Sequence, residues 1–150
     1  MDFDDTAEEA AFRAEVAAWL QNNAPRKSAR TLATQPPVET DAIAAAKAWQ
    51  AKKFDAGYAA ITWPRAYGGR DGSLIQEVIY RQEERDFIVD SGAFSIGLGM
   101  CIPIVRAFGS DEHKLMHIRP ALRGETIWCQ LFSEPSAGSD VAGIRTRAVR

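Results

Sequence analysis

The apolar positions of this chain fall into helical periods broken by turn signals. Phe12, Val16, Trp19 and Leu20 stand at i, i+4, i+7 and i+8, one face of a helix. Thr6-Ala7-Glu8-Glu9 reads as a capping box at its start, and Asn22, Asn23 and Pro25 end it. Between residues 24 and 40 the period vanishes, and Pro25, Pro36 and Pro37 predict a long loop or linker. An Ala-rich helix is expected from Asp41 to about Asp55, with Gly57 near its end. Its large apolar groups, Ile43, Trp49 and Phe54, make no clean stripe. Residues 63–72 are a succession of turn formers, read as a fixed connection with Trp63 and Tyr67 pinned to the core. Ser73-Leu74-Ile75-Gln76 is a second capping box. The helix behind it sets Leu74, Val78, Ile75 and Ile79 on one side, with Glu77, Arg81, Glu84 and Arg85 largely on the other. Residues 91–107 form the most apolar helix candidate. Gly109 ends it, Ser110 caps a helix over 111–118, and Arg119-Pro120 with Gly124 break that pattern. The uncharged run 127–133, with Ile, Trp, Cys, Leu and Phe, predicts a buried strand.

The order of about five helices and then one strand makes the chain mainly α. At 150 residues, 46% hydrophobic and 25% charged, it has the size and composition of one domain with a buried core. The net charge of −2 argues against a nucleic-acid partner, which demands clustered basic charge. The longest uncharged run, residues 91–105, is too short for a membrane span of ~20 residues. The acidic start carries no apolar leader, and Cys101 and Cys129 read as reduced core thiols of a cytoplasmic protein.

Three features carry candidate chemistry. Glu83 and Glu84 are adjacent carboxylates, but neighbouring helical positions point about 100° apart, so a solvated, ion-paired face is expected. His113 and His117 have the i, i+4 spacing of a zinc site without a Glu after His113 or a third ligand, so no metal is assigned. Gly92, Gly97 and Gly99 each cost up to about 1 kcal/mol in a helix, and either close packing or room for a ligand chain is the reason.

The most specific stretch is Gln130-Leu131-Phe132-Ser133-Glu134-Pro135-Ser136-Ala137-Gly138-Ser139-Asp140, followed by Gly143-Ile144-Arg145-Thr146. Pro135 restricts Glu134 to extended backbone, and Gly138 tolerates close approach. Ser136, Ser139 and Asp140 can fix a turn whose free N–H groups suit an anion. This stretch resembles the signature of the flavin-dependent acyl-CoA dehydrogenases, with Ser136 where that family often has Gly. The connection at residues 63–72 resembles the proline-to-diglycine stretch of the same family.

The resemblance implies an acyl-CoA dehydrogenase-like helical domain over residues 1–126 and the first strand and turn of a β-domain over 127–150. FAD is the implied cofactor, with Gln130, Leu131, Phe132 and Ser133 facing its ring. Gly138 and Ser139 would approach its pyrophosphate, and Ser139 also the CoA end of the substrate. Ile96 and Gly99 would line the acyl cavity. The implied reaction is oxidation of an acyl-CoA to the trans-2-enoyl-CoA, with an electron-transfer flavoprotein or similar acceptor and a homo- or hetero-oligomeric assembly, a dimer or tetramer. The family's base is a glutamate far downstream, and no glutamate here stands in its motif, so no catalytic residue is assigned. The chain is therefore expected to be an N-terminal portion, inactive by itself. A non-catalytic subunit of a mixed-subunit dehydrogenase and a helical interaction module remain alternatives.

Overall fold

A computed structural model of the chain describes residues 4–27, 39–89, 91–147 and 149. Among these residues the regular structure is helical. Helix α1 spans Ala7–Asn23, α2 Glu39–Asp55, α3 Leu74–Glu84, α4 Ile102–Phe108 and α5 Asp111–Leu122. Both capping boxes form. The Thr6 hydroxyl accepts from the Glu9 N–H, and the Glu9 carboxylate accepts from the Thr6 N–H at 2.7 Å. Ser73 and Gln76 repeat the arrangement at α3. Each satisfies two N–H groups that the first turn would leave without partners. The Ser110 hydroxyl caps α5 by accepting from the His113 N–H at 3.2 Å.

The predicted face of α1 is the inner one, with Val16 and Leu20 wholly buried and Phe12 6% exposed. It packs with Trp49, Tyr58, Ile79 and Tyr80, and Trp19 joins at the edge. Tyr58 and Tyr80 stack at 5.0 Å, and Trp19 lies 4.9 Å from Tyr58. A second cluster gathers Ile102, Ile118, Ala121 and Leu122, with Trp63, Tyr67 and Trp128 against it. Burying each isoleucine or leucine side chain stabilises the fold by about 1.5–3 kcal/mol. The 63–72 connection is pinned as expected. A Cβ on Gly69 would meet the Trp63 carbonyl oxygen at 1.9 Å, so the diglycine serves close backbone approach.

Several expectations need correction. Helix α2 begins at Glu39, two residues before Asp41. The loop expected over 24–40 falls largely on residues 28–38, outside the described residues. Of the expected apolar side of α3, Ile79 is buried, but Leu74 is 77% exposed and Ile75 and Val78 45% each; the helix turns Tyr80 inward beside Ile79. Aromatic packing around Tyr58 selects that face.

The helix expected over 91–107 is broken. A short 3₁₀ turn at Gly92–Phe94 leads through a π-helical turn at Gly97–Cys101 into α4. The Ile102 N–H bonds the Gly97 carbonyl, an i→i+5 step. Pro103 cannot donate to the Gly99 carbonyl, and the wider turn absorbs that missing bond. Helix α5, by contrast, runs through Pro120 to Leu122, because Ile118, Ala121 and Leu122 bury at 0–2% exposure.

The buried strand expected over 127–133 does not form. Ile127 is 43% exposed, Phe132 67% and Leu131 89%, and the segment joins no ladder among the described residues. A strand is completed by its neighbour, and none lies alongside. Neither cysteine is a core residue: Cys101 is partly buried and Cys129 exposed, both free. No described helix is long and apolar enough to cross a membrane.

Candidate functional site

The turn at the end of this segment is built by Glu134 and Ala137. They exchange two backbone bonds, Glu134 N–H to Ala137 O at 2.7 Å and Ala137 N–H to Glu134 O at 3.1 Å. Pro135 and Ser136 occupy the two-residue bend between them. The Glu134 carboxylate then accepts from the N–H groups of Arg145 and Thr146, at 2.9 and 2.7 Å, and from the Thr146 hydroxyl. That hydroxyl, with the two N–H groups behind it, holds the carboxyl below its ordinary value. Residues 134–146 are thereby tied into one loop. Within it the N–H groups of Ser136, Gly138 and Ser139 bond no acceptor among the described residues, and all three residues are exposed. A Cβ on Gly138 would meet nothing within 4 Å. Its φ is not positive, so open space, not a left-handed turn, is what glycine leaves here.

The glycine-bearing stretch lies against the same segment. A Cβ on Gly97 would sit 3.1 Å from Trp128 Cβ and 3.3 Å from the Trp128 N. One turn on, the Cys101 thiol reaches the Cys129 carbonyl at 3.8 Å. Gly97 is therefore a packing glycine. Gly99 differs, because a Cβ there meets nothing within 4 Å. Ile96, Met100 and Ile104 recur every four residues and are 41–59% exposed. His117 stands edge-on to Trp128 at 5.2 Å, so its ring packs. Among the described residues no group of three His, Cys, Asp or Glu is gathered as a metal site.

On its other side the glycine stretch borders a cleft of about 400 Å³ between α2, α3 and the 58–63 connection. Lys53, Glu84, Gln50 and Tyr80 line it together with Ser95 and Gly99. Glu84 Oε1 accepts from Trp49 Nε1 at 3.0 Å and the Tyr80 hydroxyl at 3.1 Å, and Lys53 Nζ lies at 3.5 Å. Burial pulls the Lys53 ammonium below its ordinary pKa despite Glu84 beside it. Burial, then Glu84, pushes the Tyr80 hydroxyl far up, and burial with the Glu15 bond raises Tyr58 to about 12. Both phenols therefore stay protonated as donors.

The comparisons with known proteins decide the family. The family model for the N-terminal domain of acyl-CoA dehydrogenases matches residues 6–125. The chain belongs to the acyl-CoA dehydrogenase family. Acyl-CoA dehydrogenase IpdE1 of Mycobacterium tuberculosis is 32% identical over 139 residues, covering 91% of this chain and 36% of that protein. Acyl-CoA dehydrogenase FadE34 of the same organism is 40% identical over 96 residues, covering 64% of this chain and 13% of its own length. The crystal structure of the ChsE4-ChsE5 complex from M. tuberculosis superposes with a TM-score of 0.68 at 25% identity, over all of this chain and 36% of that one. The chain thus spans about a third or less of the relatives it matches.

In this acyl-CoA dehydrogenase domain the structure brings only part of the predicted set together. Ser133, Gly138 and Ser139 are exposed, Leu131 and Phe132 project outward, and Gln130 is half-buried. Gly99 lies on the π-helical stretch whose other glycine docks Trp128, and Ile96 immediately precedes that stretch. The expectation of a solvated Glu84 is overturned: its side chain is 17% exposed and holds three donors. Glu83 pairs with Arg13 at 2.9 Å, its side chain 26% exposed. The sequence offered one signal for Glu84, which is its i, i+4 spacing from Tyr80.

Proposed function

We propose that these residues are the N-terminal part of an FAD-dependent acyl-CoA dehydrogenase that oxidises an acyl-CoA to the trans-2-enoyl-CoA. The observation that carries the reading is the turn at 134–139, with unbonded N–H groups at Ser136, Gly138 and Ser139 beside two serine hydroxyls. This donor set fits a pyrophosphate, because clustered N–H groups form an anion-binding concavity. Bound FAD would supply the hydride acceptor.

The chain's own contribution is positioning. Gly138 and Ser139 would hold the pyrophosphate, and Gln130 to Ser133 would face the flavin ring. Ser139 would also meet the CoA end of the substrate. Ile96 and Gly99 would form part of the acyl wall. Residues 1–126 would form the helical domain, and 127–150 would open a β-domain whose sheet completes the 127–133 strand. The base for the α-proton belongs to a carboxylate outside these residues, and the reducing equivalents leave to an electron-transfer flavoprotein or similar acceptor. A second reading, a subunit of a mixed-subunit enzyme, is favoured by the likeness to a complex of two different chains.

Gly138→Val in the complete polypeptide tests the site. A Cβ there meets nothing within 4 Å, so helical circular dichroism should be unchanged. FAD occupancy after gel filtration should fall several-fold. Full occupancy in the variant would remove the assignment.

A further inference from the structure

Arg70 shows what this fold does with a guanidinium laid on a ring. Its Cζ lies over the Tyr58 ring at 5.0 Å and the Phe12 ring at 5.3 Å, and both terminal nitrogens donate to the Glu15 carboxylate at 3.1 Å. A ring takes the flat face of a guanidinium and leaves the N–H groups at its edge for a carboxylate. Arg13, Arg81 and Arg123 also hold carboxylates, at 2.5–3.1 Å.

Arg106 and Arg119 have the ring and lack the carboxylate. Arg106 lies over Trp63 at 4.7 Å, and Arg119 over Phe54 at 5.4 Å. Both arginines are exposed, and neither makes a hydrogen bond or ion pair among the described residues. Their two rings belong to one region of the fold. Phe54 and Trp63 pack on the same cluster, beside Ile102, Ile118 and Leu122. A Cβ on Gly68 would strike the Phe54 ring at 2.3 Å, and one on the neighbouring Gly69 would strike the Trp63 carbonyl. The 65–67 turn packs on α5, the helix that carries Arg119. The carboxylates beside these rings are already engaged. Asp55, next to Phe54, is held by Arg123 at 3.1 Å, and Asp71, whose N–H donates to the Trp63 carbonyl, by Arg65 at 3.4 Å.

A guanidinium steadied on a ring loses less side-chain freedom on pairing than a free one. Arg106 and Arg119 stand on different helices and different rings, so they suit carboxylates spaced along a polypeptide rather than one compact anion. A chain of net charge −2 does not offer the wide basic surface that nucleic acid needs. We infer that the face carrying Arg106 and Arg119 docks an acidic segment of a partner protein, each guanidinium taking a carboxylate by its free edge while keeping its ring. The inference is independent of the flavin turn and adds a partner class to the domain.

The test uses the complete polypeptide and a fluorescein-labelled hexaglutamate peptide at low ionic strength, read by fluorescence anisotropy. The wild-type protein should bind the peptide, and binding should weaken as salt rises. Arg106→Gln/Arg119→Gln should lower the affinity about fivefold or more, at an unchanged urea midpoint. Arg26→Gln/Arg81→Gln removes the same charge from two arginines that already hold carboxylates, and should change the affinity by less than about twofold. Arg106→Lys/Arg119→Lys keeps both charges but loses the fork, so its affinity should fall between those of the two glutamine variants. Absence of binding by the wild-type protein, or equal affinities in wild type and Arg106→Gln/Arg119→Gln, would overturn the docking surface. Tripolyphosphate bound through the same two arginines while hexaglutamate is not would put a phosphate in place of the acidic partner and overturn it as well. No binding, together with a lower urea midpoint in Arg106→Gln/Arg119→Gln, would mean that the polypeptide supplies the carboxylates itself, and the partner would fall away.

Discussion

Leu20 and Leu131 carry the same side chain in opposite circumstances. Leu20, on α1, is wholly buried among aromatic and aliphatic neighbours; Leu131, in the 127–133 segment, is 89% exposed. The contrast divides the molecule. The helical body satisfies its backbone locally, through capping boxes and i→i+4 bonds, so each helix needs only an apolar face to dock. The 127–133 segment is as apolar in composition, but its backbone can be satisfied only by a neighbouring strand, and none lies among the described residues. It is held to the helical body through Trp128, against Gly97 and His117, and through the Cys101 thiol on the Cys129 carbonyl, while beyond it the Glu134 carboxylate ties residues 145 and 146.

The largest effect expected from this division is between the two leucines. Leu20→Ala leaves a cavity in a filled core and should cost about 3 kcal/mol. Leu131→Ala removes little burial and should stay within about 0.5 kcal/mol. Urea unfolding midpoints of both variants would check the difference. Comparable losses would mean that the 127–133 segment is part of the folded core after all.

Gly97 and Gly99 sharpen the same boundary at the seam. Gly97→Leu drives a side chain into the Trp128 backbone and should cost about 1–3 kcal/mol. A Cβ at Gly99 meets no atom within 4 Å, so the unfolding free energy of Gly99→Leu should change by less than about 1 kcal/mol. On the proposed dehydrogenase function it should instead raise KM for long acyl-CoAs more than for short ones. If Gly99→Leu unfolds the domain while Gly97→Leu is silent, the roles assigned to the two glycines are reversed.

These two residues also show where the sequence stops being legible. It marked Gly97 and Gly99 as helix-weakening positions that needed a reason, and it could not separate packing from space. That separation depends on Trp128, which is 31 residues away from Gly97 and meets it only in three dimensions. The caps were legible because Thr6/Glu9 and Ser73/Gln76 act within one turn. The inner face of α1 was legible because its apolar period is regular. The face of α3 was legible only at Ile79, because Tyr58, Trp49 and Lys53, from other elements, drew Tyr80 and Glu84 inward and left Leu74, Ile75 and Val78 exposed. The turn at 134–139 was legible as a motif, but its tie to residues 145 and 146 was not. The placing of Arg106 on Trp63 and of Arg119 on Phe54 leaves no trace in sequence at all.

That tie gives the smallest and most local prediction. Glu134 accepts from the Thr146 hydroxyl first, then from the N–H groups of Arg145 and Thr146, and all three bonds favour its charged form. Its folded pKa is therefore depressed below the ordinary glutamate value of 4.5. A group depressed on folding contributes stability that is present above its unfolded pKa and is lost as pH falls through the folded one. The hook between the turn and residues 145–146 should thus be fully formed at neutral pH. It should release only below pH 4.5, with the turn then freed from the downstream chain. The Glu134 carboxyl resonance should titrate with a midpoint below that value, and the Thr146 amide should shift in step. Glu134→Gln keeps one acceptor and removes the charge, so the Thr146 amide should lose its acid titration while Leu20 and its neighbours keep their shifts. A Glu134 midpoint at or above the ordinary value would show that the hook does not hold in solution. The turn proposed to grip pyrophosphate would then lack its anchor on the downstream chain.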